Sequence, residues 1–107
     1  MTTETYYHGT RREMAIYAGI CLTSSERSAK TYGAVHEVGL DLDGLVVRDV
    51  DGYDRERNEA RADSAADLAA LVADGVDALI YEDEDEHGRQ HDCIRLISAR
   101  ALAAITL

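Results

Sequence analysis

The chain has 107 residues and a formal net charge of −10, from 21 acidic and 11 basic side chains. This length is typical of one domain, and a hydrophobic share of 46% is too high for a disordered chain. No apolar run approaches the roughly 20 residues of a membrane span, and the N-terminus lacks the basic and apolar regions of a secretory signal, so we expect a single cytoplasmic domain over residues 1–107.

The first half of the chain has the patterns of short strands and one helix. Hydroxyl side chains at 23–25 are good N-caps, Glu26 suits the first turn of a helix, and Gly33 is typical of the position after a helix. From 35 to 42 polar and apolar residues alternate, which indicates a half-buried strand. The predicted elements are strands at 5–8 and 19–22, a helix at 25–32, a strand at 35–42, a turn at 43–44 and extended chain at 45–47.

The second half begins with a polar segment, 49–62, that we expect to be irregular. A helix follows from Ser64, with an apolar stripe of Leu68, Leu71 and Val72, and Gly75 ends it. Strands are predicted at 77–81 and 93–97, joined as a hairpin by an acidic loop at 82–90, and residues 101–107 fit either a strand or a short helix. Short strands with small helices indicate an α+β domain.

The negative charge is concentrated in residues 49–92, which hold 15 acids and four arginines. Phosphate backbones bind Lys and Arg, so this segment argues against direct binding of nucleic acid. The charge fits either a solvated face that keeps the protein soluble or a surface that docks on a basic partner.

Three short segments carry side chains suited to chemistry. His8 ends the first strand and precedes Gly9, so a ligand could approach the backbone there and accept a hydrogen bond from the imidazole. Tyr32 ends the serine-rich helix and offers a ring face for stacking. Asp92 stands at the start of the last long strand, where a carboxylate can orient a hydroxyl, accept a proton or stabilise a cation. Taken singly, these residues better fit a turn histidine, a half-buried helix tyrosine and a solvated hairpin acid.

No metal site is predicted. The residues between His87 and His91 do not look helical, and the cysteine spacing is not that of a zinc site. Two cysteines, Cys21 and Cys93, do not make a disulfide framework.

In this order, the segments together resemble the ADP-ribosyltransferase superfamily, in its His–Tyr–acid branch of the diphtheria-toxin and poly-ADP-ribose-polymerase type. The matching pieces are His8-Gly9-Thr10, then Gly19-Ile20-Cys21-Leu22 with residues 25–32, and finally Asp92-Cys93-Ile94-Arg95-Leu96. Residues 75–83 also resemble the strand before the hairpin in small phage-borne members. The resemblance implies a small split β-sandwich with two short helices and an NAD cleft between two small sheets.

The resemblance also implies a role for each matched residue. His8, Gly9, Thr10 and Tyr32 form the implied NAD-binding set: the Gly9 backbone holds the nicotinamide amide, His8 bonds the adjoining ribose and Tyr32 stacks on the nicotinamide. Asp92 takes the position of the family's catalytic Glu, so that His8, Tyr32 and Asp92 are the implied catalytic residues.

This chain departs from the family at the acid. Asp92 is one methylene shorter than the usual Glu, so it must lie nearer the ribose or act differently. Glu82 and Asp83, across the predicted hairpin, are alternative acids.

The implied activity is NAD-dependent mono-ADP-ribosyl transfer to a macromolecule, foremost a protein with a basic surface such as a nucleic-acid-binding defence component. The small size suits a phage or mobile-element effector, either a toxin or an anti-CRISPR protein. The alternative is a catalytically inactive member whose acidic segment blocks a basic, nucleic-acid-binding partner.

Overall fold

A computed structural model of the protein describes residues 3–49, 65–84, 88 and 90–106. Its elements are β1 (Thr3–Thr10), β2 (Ile20–Thr23), α1 (Glu26–Lys30), β3 (Ala34–Asp41), β4 (Val47–Asp49), α2 (Ala65–Ala73), β5 (Ala78–Glu84), β6 (Gln90–Leu96), α3 (Ala99–Ala103) and β7 (Ile105–Thr106). The predicted α+β class is confirmed. Almost all of the predicted irregular segment, 49–62, lies outside the described residues. Within the described part, no helix is long and apolar enough to cross a membrane.

The seven strands form one mixed sheet in the order β4-β5-β6-β2-β1-β3-β7. Only the β4–β5 pair is parallel; the other neighbours are antiparallel. Strand β1 pairs with β3 along its whole length, and β5 pairs with β6 along its whole length. By contrast, β1 and β2 share the single register pair Tyr7↔Thr23. The resemblance implies two small sheets; the described strands form one sheet that is weakly joined at this position.

The sheet has a buried cluster on each face. Because side chains alternate along a strand, Ile94 and Leu96 of β6 face one cluster, with Tyr6, and Cys93 faces the other, with Tyr81. The C-terminal helix α3 packs on the first cluster and α2 packs on the second: their buried members are Ala101 and Leu71 respectively.

Helix α1 is shorter than the predicted 25–32. Its N-cap is Ser25, whose side chain accepts a hydrogen bond from the Ser28 backbone N–H, and it ends at Lys30. Gly33 follows with φ of 128°, and a Cβ there would lie 2.5 Å from the Thr10 carbonyl oxygen. The chain therefore turns sharply back to β3, and Tyr32 lies in this turn, beyond the helix.

The β5–β6 hairpin is confirmed, but its strands are longer than predicted. The pair Glu84↔Gln90 ends the ladder, so residues 82–84 and 90 belong to strands and not to the predicted loop. Acidic side chains do not oppose this pairing, because a strand position such as Glu82 can leave its carboxylate exposed. Residues 85–87 and 89 of that loop lie outside the described part.

The structure revises two further predictions, both near the ends of helices. Val72, predicted as part of the apolar stripe of α2, is 40% exposed, whereas Leu71 is fully buried. The segment 101–107, predicted as a strand or a helix, holds the end of α3 and then β7, which pairs with the edge of β3.

Asp77 ties three segments together just before β5. Its buried carboxylate accepts hydrogen bonds from the Val46 backbone N–H at 2.8 Å, from the Ser98 hydroxyl at 2.6 Å and from the Arg100 guanidinium. These donors, with Arg100 first, lower the pKa of Asp77 to about 2. Ser98 is also the N-cap of α3, so this carboxylate fixes α3 against the start of β5.

Candidate functional site

A cavity of about 390 Å³ lies beside the weak β1–β2 junction. Its walls come from the end of β1, from α1 and the turn after it, and from one face of β2, β5 and β6. Small-molecule sites commonly measure roughly 300–1,000 Å³, so this cavity can hold part of a nucleotide-sized ligand. His8, Gly9, Thr10 and Tyr32, the implied NAD-binding set, all line it.

His8 is oriented by a backbone group of the neighbouring strand. Its Nδ1 lies 3.0 Å from the carbonyl oxygen of Cys21. A carbonyl oxygen can only accept, so Nδ1 carries the hydrogen and donates it. In a neutral imidazole Nε2 is then an acceptor, so a ligand hydroxyl would donate to His8, whereas the sequence predicts that the ligand accepts.

Gly9 is required by the packing of α1 on β1. A Cβ at this position would lie 1.8 Å from the carbonyl oxygen of Ala29, which is a fully buried residue of α1. The sequence predicts that the missing side chain gives a ligand access to the backbone, but the close neighbour of Gly9 in the structure is α1. Gly9 nevertheless lines the cavity, so its position beside a ligand is compatible with this packing.

Two exposed tyrosines line the cavity. Tyr32 is 64% exposed and Tyr17 is 53% exposed. The interpretation of Tyr32 as a half-buried helix residue is therefore wrong. Tyrosine rings with this exposure leave a face available for stacking on a planar ring.

Asp92 does not line the cavity, unlike the other predicted site residues. The cavity-lining residues of β6 are His91, Cys93 and Arg95, which alternate with Asp92 along the strand. The Asp92 side chain is exposed, and its charge contributes to raising the pKa of Tyr6, which belongs to the cluster on the opposite face. The implied catalytic position is therefore one residue out of phase with the cavity.

The two alternative acids occupy successive positions of β5. Glu82 pairs with Asp92, and its side chain is exposed. Asp83 pairs with His91, a cavity-lining residue; the Asp83 side chain lies outside the described part of the structure.

The inner wall of the cavity centres on His91. Its Nδ1 lies 2.6 Å from the Thr23 hydroxyl and 3.5 Å from the Cys93 sulfur. The Thr23 hydroxyl also accepts a hydrogen bond from the backbone N–H of Ser25, and Ser25 is the N-cap residue of α1. His91 is thereby connected to the start of the helix that forms another wall.

Tyr81, Cys21 and Arg95 meet on the same inner wall. The Tyr81 hydroxyl lies 3.4 Å from the Cys21 sulfur. Burial raises the pKa of Tyr81 far above its usual range and the neighbouring Cys21 adds to the rise, whereas the hydrogen bond and charge of Arg95 oppose it. Tyr81 is therefore a neutral phenol beside a guanidinium. Cys21 and Cys93 are both thiols and are not joined in a disulfide.

Sequence reasoning missed most of this inner wall. Thr23, Tyr81, His91, Cys93 and Arg95 line the cavity and were not assigned a role. A usable signal was present at residues 93–97, where an otherwise apolar run contains one arginine, Arg95. A strand that alternates in this way places its charged residue either in solvent or at a site.

Comparisons with protein-family models, with curated proteins and with solved structures find no match to this chain.

Proposed function

We propose that the protein is an NAD-dependent mono-ADP-ribosyltransferase that modifies a macromolecule. One observation supports this most: His8 and Tyr32, which the family resemblance singles out in separate segments, line one cavity together with Gly9 and Thr10. The proposal includes the split-sandwich architecture, with the weak β1–β2 junction as the split.

The groups in the cavity suit the nicotinamide riboside part of NAD. His8 has an acceptor, Nε2, for a ribose hydroxyl, because its Nδ1 donates to the Cys21 carbonyl. The exposed ring of Tyr32 can stack on the nicotinamide. The Gly9 backbone and the Thr10 hydroxyl offer polar partners for the carboxamide at the same end of β1.

Transfer requires a negative group near the ribose. Breaking the nicotinamide–ribose bond develops positive charge on the ribose, which a carboxylate stabilises. Asp92 and Glu82 have exposed side chains and pair with each other, whereas position 83 pairs with His91. The alternative acids of β5, Glu82 and Asp83, are therefore tested beside Asp92.

The test is transfer of label from NAD labelled on its adenylate part to acceptors in a cell lysate. We expect a labelled macromolecule with the wild-type chain and clearly less label with Tyr32→Ala at sub-saturating NAD. Protease and nuclease treatment of the product identifies the acceptor class, for which a protein is proposed. Absence of any label above the lysate background would contradict the proposal.

Three acid variants then locate the reactive carboxylate: Asp92→Asn, Glu82→Gln and Asp83→Asn. The variant that abolishes transfer while retaining NAD binding and the wild-type melting temperature identifies it. Glu37→Gln is a matched control, since Glu37 is an exposed acid of β3 and does not line the cavity.

A second candidate function is a catalytically inactive member that binds a basic partner through its acidic segment. The exposed side chains of Asp92 and Glu82, which do not line the cavity, favour it. This candidate predicts that partner binding needs no NAD and is lost when residues 82–86 are neutralised. Loss of partner binding in Tyr32→Ala would count against it.

A further inference from the structure

The charge of the cavity wall is opposite to that of the whole chain. The chain has 21 acidic residues, yet none of the described residues that line the cavity is Asp or Glu. The ionisable groups there are one guanidinium, two imidazoles, phenols and thiols. The protein has a net charge of −10. An anion that enters this cavity nevertheless meets hydrogen-bond donors, and none of the described wall residues is a carboxylate.

Arg95 is the fixed cation of this wall. It is half-buried and lies on β6, between β2 and β5, and it pairs with Cys21 on one side and with Leu79 on the other. A strand bonded on both sides holds its side chains in defined positions. Tyr81, the neighbour that hydrogen-bonds to Arg95, is itself buried.

A guanidinium in this setting is suited to a phosphate group. Arginine stays charged at any ordinary pH and presents a planar fork of N–H donors that matches phosphate oxygens. Partial burial removes some of its water, so an anion that enters the cavity regains interaction energy there. The exposed tyrosines of the cavity, Tyr17 and Tyr32, add faces for a planar ring.

We propose that the cavity binds an organic phosphate of the nucleoside diphosphate class and that the Arg95 guanidinium contacts its phosphate groups. The inference rests on the proposed function, since the ADP-ribose part of NAD belongs to this class. It adds a contact that the family resemblance does not assign, and it divides the ligand between two regions of the cavity. The ring of the nicotinamide lies near His8 and Tyr32, and the phosphates lie near Arg95.

The test is calorimetric titration of the full chain with ADP-ribose and, separately, with nicotinamide. We expect Arg95→Gln to lower the ADP-ribose affinity at least tenfold, about the worth of one charge-assisted hydrogen bond, and to leave nicotinamide binding unchanged. Arg95→Lys retains the charge without the fork and loses less. Arg48→Gln is the control: Arg48 is an exposed arginine of β4 that does not line the cavity, and its removal changes the net charge equally.

A measurement on the wild-type chain covers the case in which Arg95→Gln does not fold. ADP-ribose should shift the NMR resonance of the Arg95 Nε–H group, which Arg95→Lys assigns by its disappearance. An unshifted resonance, equal ADP-ribose affinity in wild type and Arg95→Gln, or no binding of ADP-ribose would overturn the proposal.

The outcomes separate this inference from the proposed function. Binding of ADP-ribose through Arg95 without transfer of label supports the phosphate site and contradicts the transferase. Transfer of label that is equally efficient in Arg95→Gln, with unchanged affinity for NAD, supports the transferase and overturns the phosphate site.

Discussion

The imidazole of His8 donates a 3.0 Å hydrogen bond to the carbonyl oxygen of Cys21. This bond crosses from β1 to β2, two strands whose backbones share one register pair. His8 therefore helps to join the two halves of the sheet and presents its Nε2 as an acceptor in the cavity that lies beside the junction. The proposed contact of His8 with NAD uses the other ring nitrogen, so substitution can separate the structural task of His8 from the proposed binding task.

We predict that His8→Ala lowers both the affinity for NAD and the melting temperature. Loss of one hydrogen bond to ligand corresponds to about a tenfold loss of affinity. His8→Asn retains a donor near the position of Nδ1, so it should regain the melting temperature and still bind NAD weakly. Calorimetry and thermal melts followed by circular dichroism measure the two effects.

His36→Ala is the control for this pair. His36 pairs with His8 in the β1–β3 register but does not line the cavity. Equal NAD affinity in His8→Ala and His36→Ala would remove His8 from the binding site.

Tyr32 should act through its ring and not through its hydroxyl. We expect Tyr32→Phe to bind NAD nearly as well as the wild type and Tyr32→Ala to bind about tenfold less tightly, since stacking on an aromatic face contributes about 1 kcal/mol. Because Tyr32 is 64% exposed, neither change should alter the melting temperature by much. A large loss in Tyr32→Phe would show that the hydroxyl is the important group.

The thiols of Cys21 and Cys93 provide a footprint of the cavity. Cys21 is half-buried and Cys93 is 3% exposed, and both line the cavity. We expect N-ethylmaleimide to modify Cys21 faster than Cys93, and saturating NAD to slow the modification of Cys21. Mass spectrometry of digested peptides measures both rates.

Cys21→Ser is the matched variant for this footprint, because it removes the more accessible thiol and retains a small polar group. Its remaining modification should be slow and should report on Cys93. An NAD-independent rate at Cys21 would place the ligand elsewhere.

Asp77 should control the stability of the domain at low pH. Its pKa is lowered to about 2 in the folded protein, from an ordinary value of 3.8, by the donors Arg100, Ser98 and Val46. A lowered folded pKa stabilises the fold above the unfolded pKa, and this contribution is lost as the pH falls from about 4 towards 2. Urea unfolding of the wild type from pH 7 to pH 2 measures the loss.

The variant Asp77→Ala should destabilise the protein by about 2 kcal/mol at pH 7, because it removes three hydrogen bonds and leaves the buried Ser98 hydroxyl without its acceptor. Its stability should also depend less on pH between 4 and 2. Asp74→Ala, an exposed acid near the end of α2, is the control and should have little effect. Equal pH profiles for wild type and Asp77→Ala would contradict this account.

The strand pattern was largely predictable from the sequence, because alternation and glycine positions are local signals. Val38 and Leu40 are fully buried in β3, as their spacing predicts, and Gly44 forms the predicted turn with φ of 77°. The lengths of β5 and β6 were not predictable in the same way. Acidic residues indicate exposure to water, but a residue can be exposed to water in a strand as well as in a loop. The acidic pattern therefore does not show where the strands end.

The assignment of faces in the candidate site was less predictable. A difference of one residue in strand phase moves a side chain to the other face of the sheet, and this separates Asp92 from its neighbours His91 and Cys93. The motif order singled out a strand that contributes to the cavity wall, but it could not establish which residues of the strand line the cavity. The packing role of Gly9 was likewise not predictable, because the 1.8 Å approach of the Ala29 carbonyl oxygen to a Cβ at position 9 depends on tertiary packing.

Titration of NAD into the ¹⁵N-labelled wild-type chain, followed by amide NMR, tests the central claim most directly. We predict saturable shifts concentrated at Gly9, Thr10 and Tyr32, which line the cavity, with α2 and β4 unchanged. This measurement needs no substitution and no knowledge of the acceptor. No saturable shift, or shifts confined to residues away from the cavity, would contradict the assignment of this cavity to NAD.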